Sequence, residues 1–237
     1  APGVQRLLAP IVSRSEDGGT TWTHESQVFA PENSKLLLFG DIVTLPGGRL
    51  AASCYSSTDD ADENGDSAWI YFSDDDGRTW GDSRLIGDRY NETNLLVLDD
   101  EKLLAASRTA RTAKTVIFAS NDGGQSWTCR GPVTPSRHMP AHLLWLRDES
   151  ILLTYGVRLR GMLGVYASIS RDEGITWDDP RVLFNTAAYR SDTSSKGTDG
   201  GYPSSVELAD GTILTAYYCQ HIPMHQRYHL GVVLWKD

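Results

Sequence analysis

The chain has 237 residues, 40% hydrophobic and 22% charged, which excludes a disordered or fibrous protein and is long enough for one sizeable core. With 22 basic and 31 acidic residues its net charge is −9, which argues against a nucleic-acid binder and leaves room for one basic pocket that takes a small anion. No apolar run approaches the ~20 residues of a membrane span, and Cys54, Cys129 and Cys219 are too few and too scattered for a disulfide framework or a zinc site.

The chain opens on Ala-Pro-Gly-Val without a start methionine or a visible signal peptide, so its beginning says little about export. A secreted or periplasmic location is the expectation. Arg6–Ser13 ("RLLAPIVS") reads as a strand and runs into "SRSEDGGTTW", Ser13–Trp22. That stretch recurs as "SDDDGRTW" (Ser73–Trp80), "SNDGGQSW" (Ser120–Trp127) and "SRDEGITW" (Ser170–Trp177). The tryptophans at 22, 80, 127 and 177 stand 58, 47 and 50 residues apart, a period near that of propeller blades. Between these copies lie four hairpins, "LPGGRLAAS" (Leu45–Ser53), "LDDEKLLAAS" (Leu98–Ser107), "LRDESILLT" (Leu146–Thr154) and "LADGTILTA" (Leu208–Ala216). A further strand, "SAWIYFS", "KTVIFAS" or "LGVYASIS", enters the second, third and fourth copies. "YHLGVVLW" near the C-terminus is the same kind of strand with no copy after it.

Each unit therefore supplies four strands. The expected fold is all-β: a propeller of four-stranded antiparallel blades, with three full blades and a partial blade at each end. The whole of 1–237 is expected to be one such domain, lacking part of its first blade. A four-blade ring closed by the two ends is the alternative, and it leaves one strand surplus. In the repeated turn, Gly19, Gly77, Gly124 and Gly174 permit a positive φ. Asp17, Asp75, Asp122 and Asp172 accept backbone N–H bonds, and the four tryptophans pack between blades. Four equivalent carboxylates are not needed for one reaction, so the repeat reads as structural.

The pattern Ser-x-Asp-x-Gly-x-Thr/Ser-Trp resembles the Asp-box of the sialidase (bacterial neuraminidase repeat) superfamily, and the resemblance covers nearly the whole chain. It implies a sialidase-like propeller, and it is weaker for activity, because Asp-boxes also occur in proteins that hydrolyse nothing.

Antiparallel geometry puts the Asp-boxes on one face and the starts of first strands and ends of second strands on the other. Those positions carry Asp41, Glu92, His138, His142 and Tyr202, and Tyr55, Arg108, Arg158 and Tyr218 to His221. The segment "NETNLLVLDDEKLLAASR" is similar to the family segment with a nucleophile-paired Glu at its start and a carboxylate-binding Arg at its end. By that resemblance these are Glu92 and Arg108. "GYPSSVELADGTILTAYY" is similar to the segment whose early Tyr is the nucleophile, here Tyr202. "YGVR" offers Arg158 as a second carboxylate-binding Arg. A neutral Tyr avoids the repulsion that a carboxylate nucleophile meets from an acidic sugar, and arginine suits bidentate capture of a carboxylate.

The family's Phe/Tyr-Arg-Ile-Pro segment, with a triad Arg and the nearby acid/base Asp, has no counterpart here. Asp41 is the candidate acid on position alone, against a turn-capping role. His138, His142 and His221 are alternative acids or substrate contacts, His138 and His221 foremost as substrate contacts, against structural or rim roles for each. Glu92 also lies in Asn-Glu-Thr, an N-glycosylation acceptor pattern. Arg108 and Arg158 as surface ion-pair residues, and Tyr202 as a packing residue, are the competing readings. No cofactor or metal is expected, since no ligand spacing demands calcium.

The functional expectation is a retaining glycoside hydrolase acting on a sialoglycoconjugate or related acidic glycan, inactive if the acid is missing. A noncatalytic Asp-box propeller that binds a glycan or protein is the alternative, and a hydrolase for another sugar a third. No nucleic-acid partner is expected.

Overall fold

The computed structural model describes residues 10–27, 35–57, 65–159, 162–185, 200–219 and 228–237. Among the described residues seventeen strands alternate with tight turns, as short apolar runs punctuated by Gly and Asp require. A two-stranded sheet comes first, β1 (Ile11–Arg14) and β2 (Thr23–Gln27). Three four-stranded antiparallel sheets follow. The first is β3 (Lys35–Thr44), β4 (Leu50–Ser57), β5 (Ser67–Ser73) and β6 (Gly81–Asp88). The second is β7 (Tyr90–Val97), β8 (Leu103–Thr109), β9 (Thr115–Ser120) and β10 (Thr128–Pro132). The third is β11 (His138–Trp145), β12 (Ile151–Val157), β13 (Gly164–Ser170) and β14 (Arg181–Asn185). A three-stranded sheet of β15 (Gly200–Glu207), β16 (Ile213–Cys219) and β17 (His229–Trp235) ends the series. This is the propeller expected from the repeats, three full blades flanked by two partial ones. Among the described residues no helix is long and apolar enough to cross a membrane.

Neighbouring blades pack face to face through small and branched side chains. Leu45, Ala51, Ile70 and Phe72 of the first full blade meet Leu95, Leu103, Ala105 and Phe118 of the second. Leu104, Ala106 and Ile117 meet Ala141, Leu143, Leu153 and Tyr155 of the third. Leu153 is fully buried in the middle of β12. Leu153→Ala is expected to lower stability by about 2–5 kcal/mol, read as a fall in the urea midpoint at unchanged slope.

The repeated turn works as a local clamp. Ser73 Oγ donates to Asp75 Oδ1 at 2.8 Å and accepts the Gly77 amide at 2.8 Å. Asp75 in turn accepts the Thr79 amide at 2.8 Å and the Thr79 hydroxyl at 2.7 Å. Asp17, Asp122 and Asp172 repeat this arrangement. The Thr79 hydroxyl, then the Thr79 amide, hold the Asp75 carboxyl down at about 2; for Asp17 the same groups of Thr21 do so, also to about 2. A carboxylate depressed by folding contributes stability above its unfolded pKa, about 4, and that contribution is lost as pH falls toward 2. Thermal midpoints measured from pH 5 to pH 2 are therefore expected to fall less in Asp75→Asn than in the parent.

The tryptophans follow the expectation in three blades and depart from it in one. Trp80 is 3% exposed in a cluster with Leu36, Tyr71 and Cys54, and Trp127 and Trp177 pack on the cores shared with the preceding blade. Trp22 is 59% exposed, because no described sheet lies against the outer side of β1 and β2. Its indole still donates to the Gly19 carbonyl at 3.0 Å, so the turn forms without the inter-blade contact.

Candidate active site

The hairpin turns that join first to second strands share an end of each blade with the Asp-boxes. The opposite end is built differently: the first strand of every described blade breaks register with the second near its start. Residues 39–41 stand opposite Ser53, between the pairs Leu38↔Cys54 and Ile42↔Ala52. Asn91 and Glu92 stand opposite Arg108, Met139 and Pro140 opposite Gly156, and Tyr202 and Pro203 opposite Tyr217. A bulge bends the strand and re-aims its side chains. Asp41, Glu92 and Tyr202 all lie in these bulges. Tyr202 reaches its place with φ of 50°, a left-handed conformation uncommon for an aromatic residue and one that clusters at functional sites.

Two bulges, in separate blades, bring Tyr202 and Glu92 together. The Tyr202 phenol donates a hydrogen bond to Glu92 Oε1. Glu92 Oε2 accepts from Arg108 Nη1 at 3.0 Å, an ion pair with both side chains largely buried. Arg158 lies over the Tyr202 ring, 5.2 Å from its centroid, and its Nε donates to the Gly200 carbonyl at 3.0 Å. Phe39 meets the Tyr202 ring edge-on at 5.8 Å, and Tyr218 lies against it at 5.4 Å. Burial is the main cause that raises the Tyr202 pKa; the Glu92 hydrogen bond and charge add to it, and the two arginines oppose it. The phenol is therefore held neutral beside a built-in acceptor for its proton.

The other expected residues are placed differently. Asp41 Oδ2 lies 3.2 Å from His142 Nε2 and accepts from Asn94 Nδ2 at 3.2 Å. The His142 bond holds the Asp41 carboxyl below its ordinary range, the opposite of what a general acid needs. His142 Nδ1 takes the Ser205 amide at 3.4 Å, and Asn94 Oδ1 takes the Leu143 amide at 2.9 Å. This polar cross-link ties all four first strands together. His138 is buried: its ring packs near Tyr155 and Tyr166, and its Nδ1 lies 2.9 Å from the Ser136 carbonyl. His221 lies outside the described residues. The acceptor pattern at Asn91 is not an open glycosylation site in the folded chain, because the Asn91 amide is buried and donates to Asp66 Oδ2 at 3.0 Å.

The BNR repeat-like domain matches residues 4–222 of the chain. The chain belongs to the BNR repeat-like family. A sialidase of Micromonospora viridifaciens is 31% identical over 146 residues, which are 59% of this chain and 22% of that protein. A Dyadobacter fermentans protein of unknown function shares the fold with a TM-score of 0.74 and 26% identity, over 96% of this chain and 64% of that one. A Hadza microbial sialidase gives a TM-score of 0.64 at 17% identity, over 94% and 43% of the two chains. An α-L-arabinofuranosidase of Fusarium graminearum, solved with an iminosugar inhibitor, gives 0.65 at 17% identity, over 85% and 63%. This BNR repeat-like chain thus spans less than two thirds of each of these relatives.

Two neighbours of the site were not singled out from sequence, Phe39 and Asp66; Tyr55 stands where blade phase puts it, at the end of a second strand. Burial, then the nearby Glu92 and Asp66 carboxylates, push the Tyr55 phenol up to about 12. Pro140 and Pro203 fall in the bulges of β11 and β15, but both are edge strands of their sheets, where proline is tolerated without a bulge, so they do not mark the bulges in the sequence.

Proposed function

We propose that this BNR repeat-like chain forms part of a retaining sialidase-type glycoside hydrolase acting on a terminal acidic sugar of a glycan. The carrying observation is the hydrogen bond from the Tyr202 phenol to Glu92, whose other oxygen is ion-paired with Arg108. In this reading the Tyr202 oxygen attacks the anomeric carbon while its proton passes to Glu92 Oε1. In the first displacement the bond to the leaving oxygen breaks as that oxygen takes a proton from an acid. In the second, water attacks the anomeric carbon and gives its proton to the same, now deprotonated, group, while the bond to Tyr202 breaks and Glu92 returns the phenol proton, with net retention. Arg108 and Arg158 hold the sugar's carboxylate, and Arg108 also fixes Glu92. A carboxylate in place of Tyr202 would stand against the substrate's own charge.

The leaving oxygen needs a proton donor. Asp41 is the candidate named from its position, and its lowered pKa argues for a donor elsewhere. The relatives bear on the substrate through the names of two sialidases, and the arabinofuranosidase shows that the same fold serves a neutral sugar.

The test is release of a fluorogenic group from an α-sialoside by the protein, beside the matching α-L-arabinofuranoside. Turnover of the sialoside alone is expected. Turnover of the arabinofuranoside alone, or binding of sialosides without hydrolysis, would overturn this reading.

A further inference from the structure

We propose that Asp66 and Asn91 are positioning residues that hold Glu92 on Tyr202, an inference that rests on the function proposed above. The bulge between Tyr90 and Thr93 interrupts the ladder between β7 and β8 at the residue whose carboxylate must be aimed. Backbone groups freed from a ladder need other partners, and side chains supply them here. The Glu92 amide donates to Asn91 Oδ1 at 2.8 Å. Thr93 Oγ1 lies 2.7 Å from the Asn91 carbonyl oxygen and 2.9 Å from Ser107 Oγ.

Asn91 can hold that amide only if its own side chain is fixed. Its Nδ2 is fixed by Asp66 Oδ2 at 3.0 Å. Asp66 is 6% exposed and lies just before β5, in a different blade. Its backbone carbonyl accepts the Arg89 amide at 2.7 Å, and the Arg89 carbonyl accepts the Ala110 amide at 2.9 Å. Arg89 has φ of 69°, so the chain turns sharply into β7 at this point. Asp66 therefore grips the entrance to β7 twice, by backbone and by carboxylate. A buried carboxylate is costly unless its hydrogen bonds are made, so its presence here calls for a use that an apolar residue cannot meet. Asp66 touches neither Tyr202 nor Glu92 through any hydrogen bond described here, and it acts through Asn91.

The experiment compares Asp66→Ala, Asp66→Asn and Asn91→Ala with the parent by sialoside kinetics and by residue-resolved amide exchange. Asp66→Ala and Asn91→Ala are expected to lower kcat at least about tenfold with KM within about threefold, while Asp66→Asn, which keeps an acceptor for Asn91, stays within about threefold of the parent. The Glu92 amide is expected to exchange at least about tenfold faster in both alanine variants, with the Leu95 and Leu104 amides unchanged. If the parent hydrolyses no sialoside, the function fails, and the exchange of the Glu92 amide alone then decides the positioning role. Parent-like Glu92 exchange in Asp66→Ala overturns the proposal. So does a uniform rise across the sheet, or an equal loss of activity in Asp66→Asn.

Discussion

Tyr202→Phe is expected to lower kcat for an α-sialoside by roughly 10³-fold or more, a loss of at least about 4 kcal/mol of transition-state stabilisation. The substitution removes one oxygen, the atom proposed to form the bond to the sugar. Phenylalanine keeps the ring that meets Phe39, Tyr218 and Arg158, so the folded state should be retained. Glu92 keeps its ion pair with Arg108 and is not left as an isolated buried charge. Binding of a sialic-acid analogue should survive, because the arginines are untouched. Single-turnover assays and a thermal midpoint on the same preparation would check this. A variant that still turns over at a tenth of the parent rate would remove Tyr202 as the nucleophile.

Gly201→Ala is expected to cost both stability and activity. Gly201 has φ of +99°, and a Cβ there would lie 2.8 Å from the Gly156 Cα, a backbone atom of the neighbouring blade. Neither partner can rotate away. Strain at such a φ costs about 1–3 kcal/mol, and overpacking a further 1–3 kcal/mol. Because Tyr202 is the next residue, relief by backbone movement would also carry the phenol off Glu92. Gly18→Ala is the control, since φ is +70° there and nothing lies within 4 Å of an added Cβ. Urea unfolding should place Gly201→Ala well below Gly18→Ala, and only Gly201→Ala should lose turnover. Equal destabilisation with full activity in both would show that the contact between β12 and β15 yields freely.

How much of this was legible beforehand differs between frame and site. The Asp-box spacing announced blades, because a turn needs Gly at the positive φ and Asp at the amides wherever it occurs. The same reasoning misplaced Trp22, since burial of a tryptophan depends on a neighbouring sheet that the turn itself does not specify. Glu92, Arg108, Arg158 and Tyr202 were named by resemblance and by blade phase, and the fold gathers them. Asp41 and His138 came from the same phase rule; Asp41 joins the polar cross-link, and His138 is buried beside Tyr155 and Tyr166. Phase fixes the end of the strand on which a residue sits. It does not fix which way a bulge turns its side chain.

The blade, its period and its two faces could be read from the residues alone, because they rest on turns and hairpins closed within one repeat. That Tyr202 meets Glu92, that Arg108 closes the far side of that carboxylate, and that Asp66 pairs with Asn91 beside it emerge only from the packed fold. Of these contacts, that of Tyr202 with Glu92 joins blades across 110 residues of chain and that of Asn91 with Asp66 joins adjacent blades across 25, while Arg108 meets Glu92 within one blade. They follow from how sheets pack around a common axis and from four breaks in strand register, and neither is written in any local run of residues.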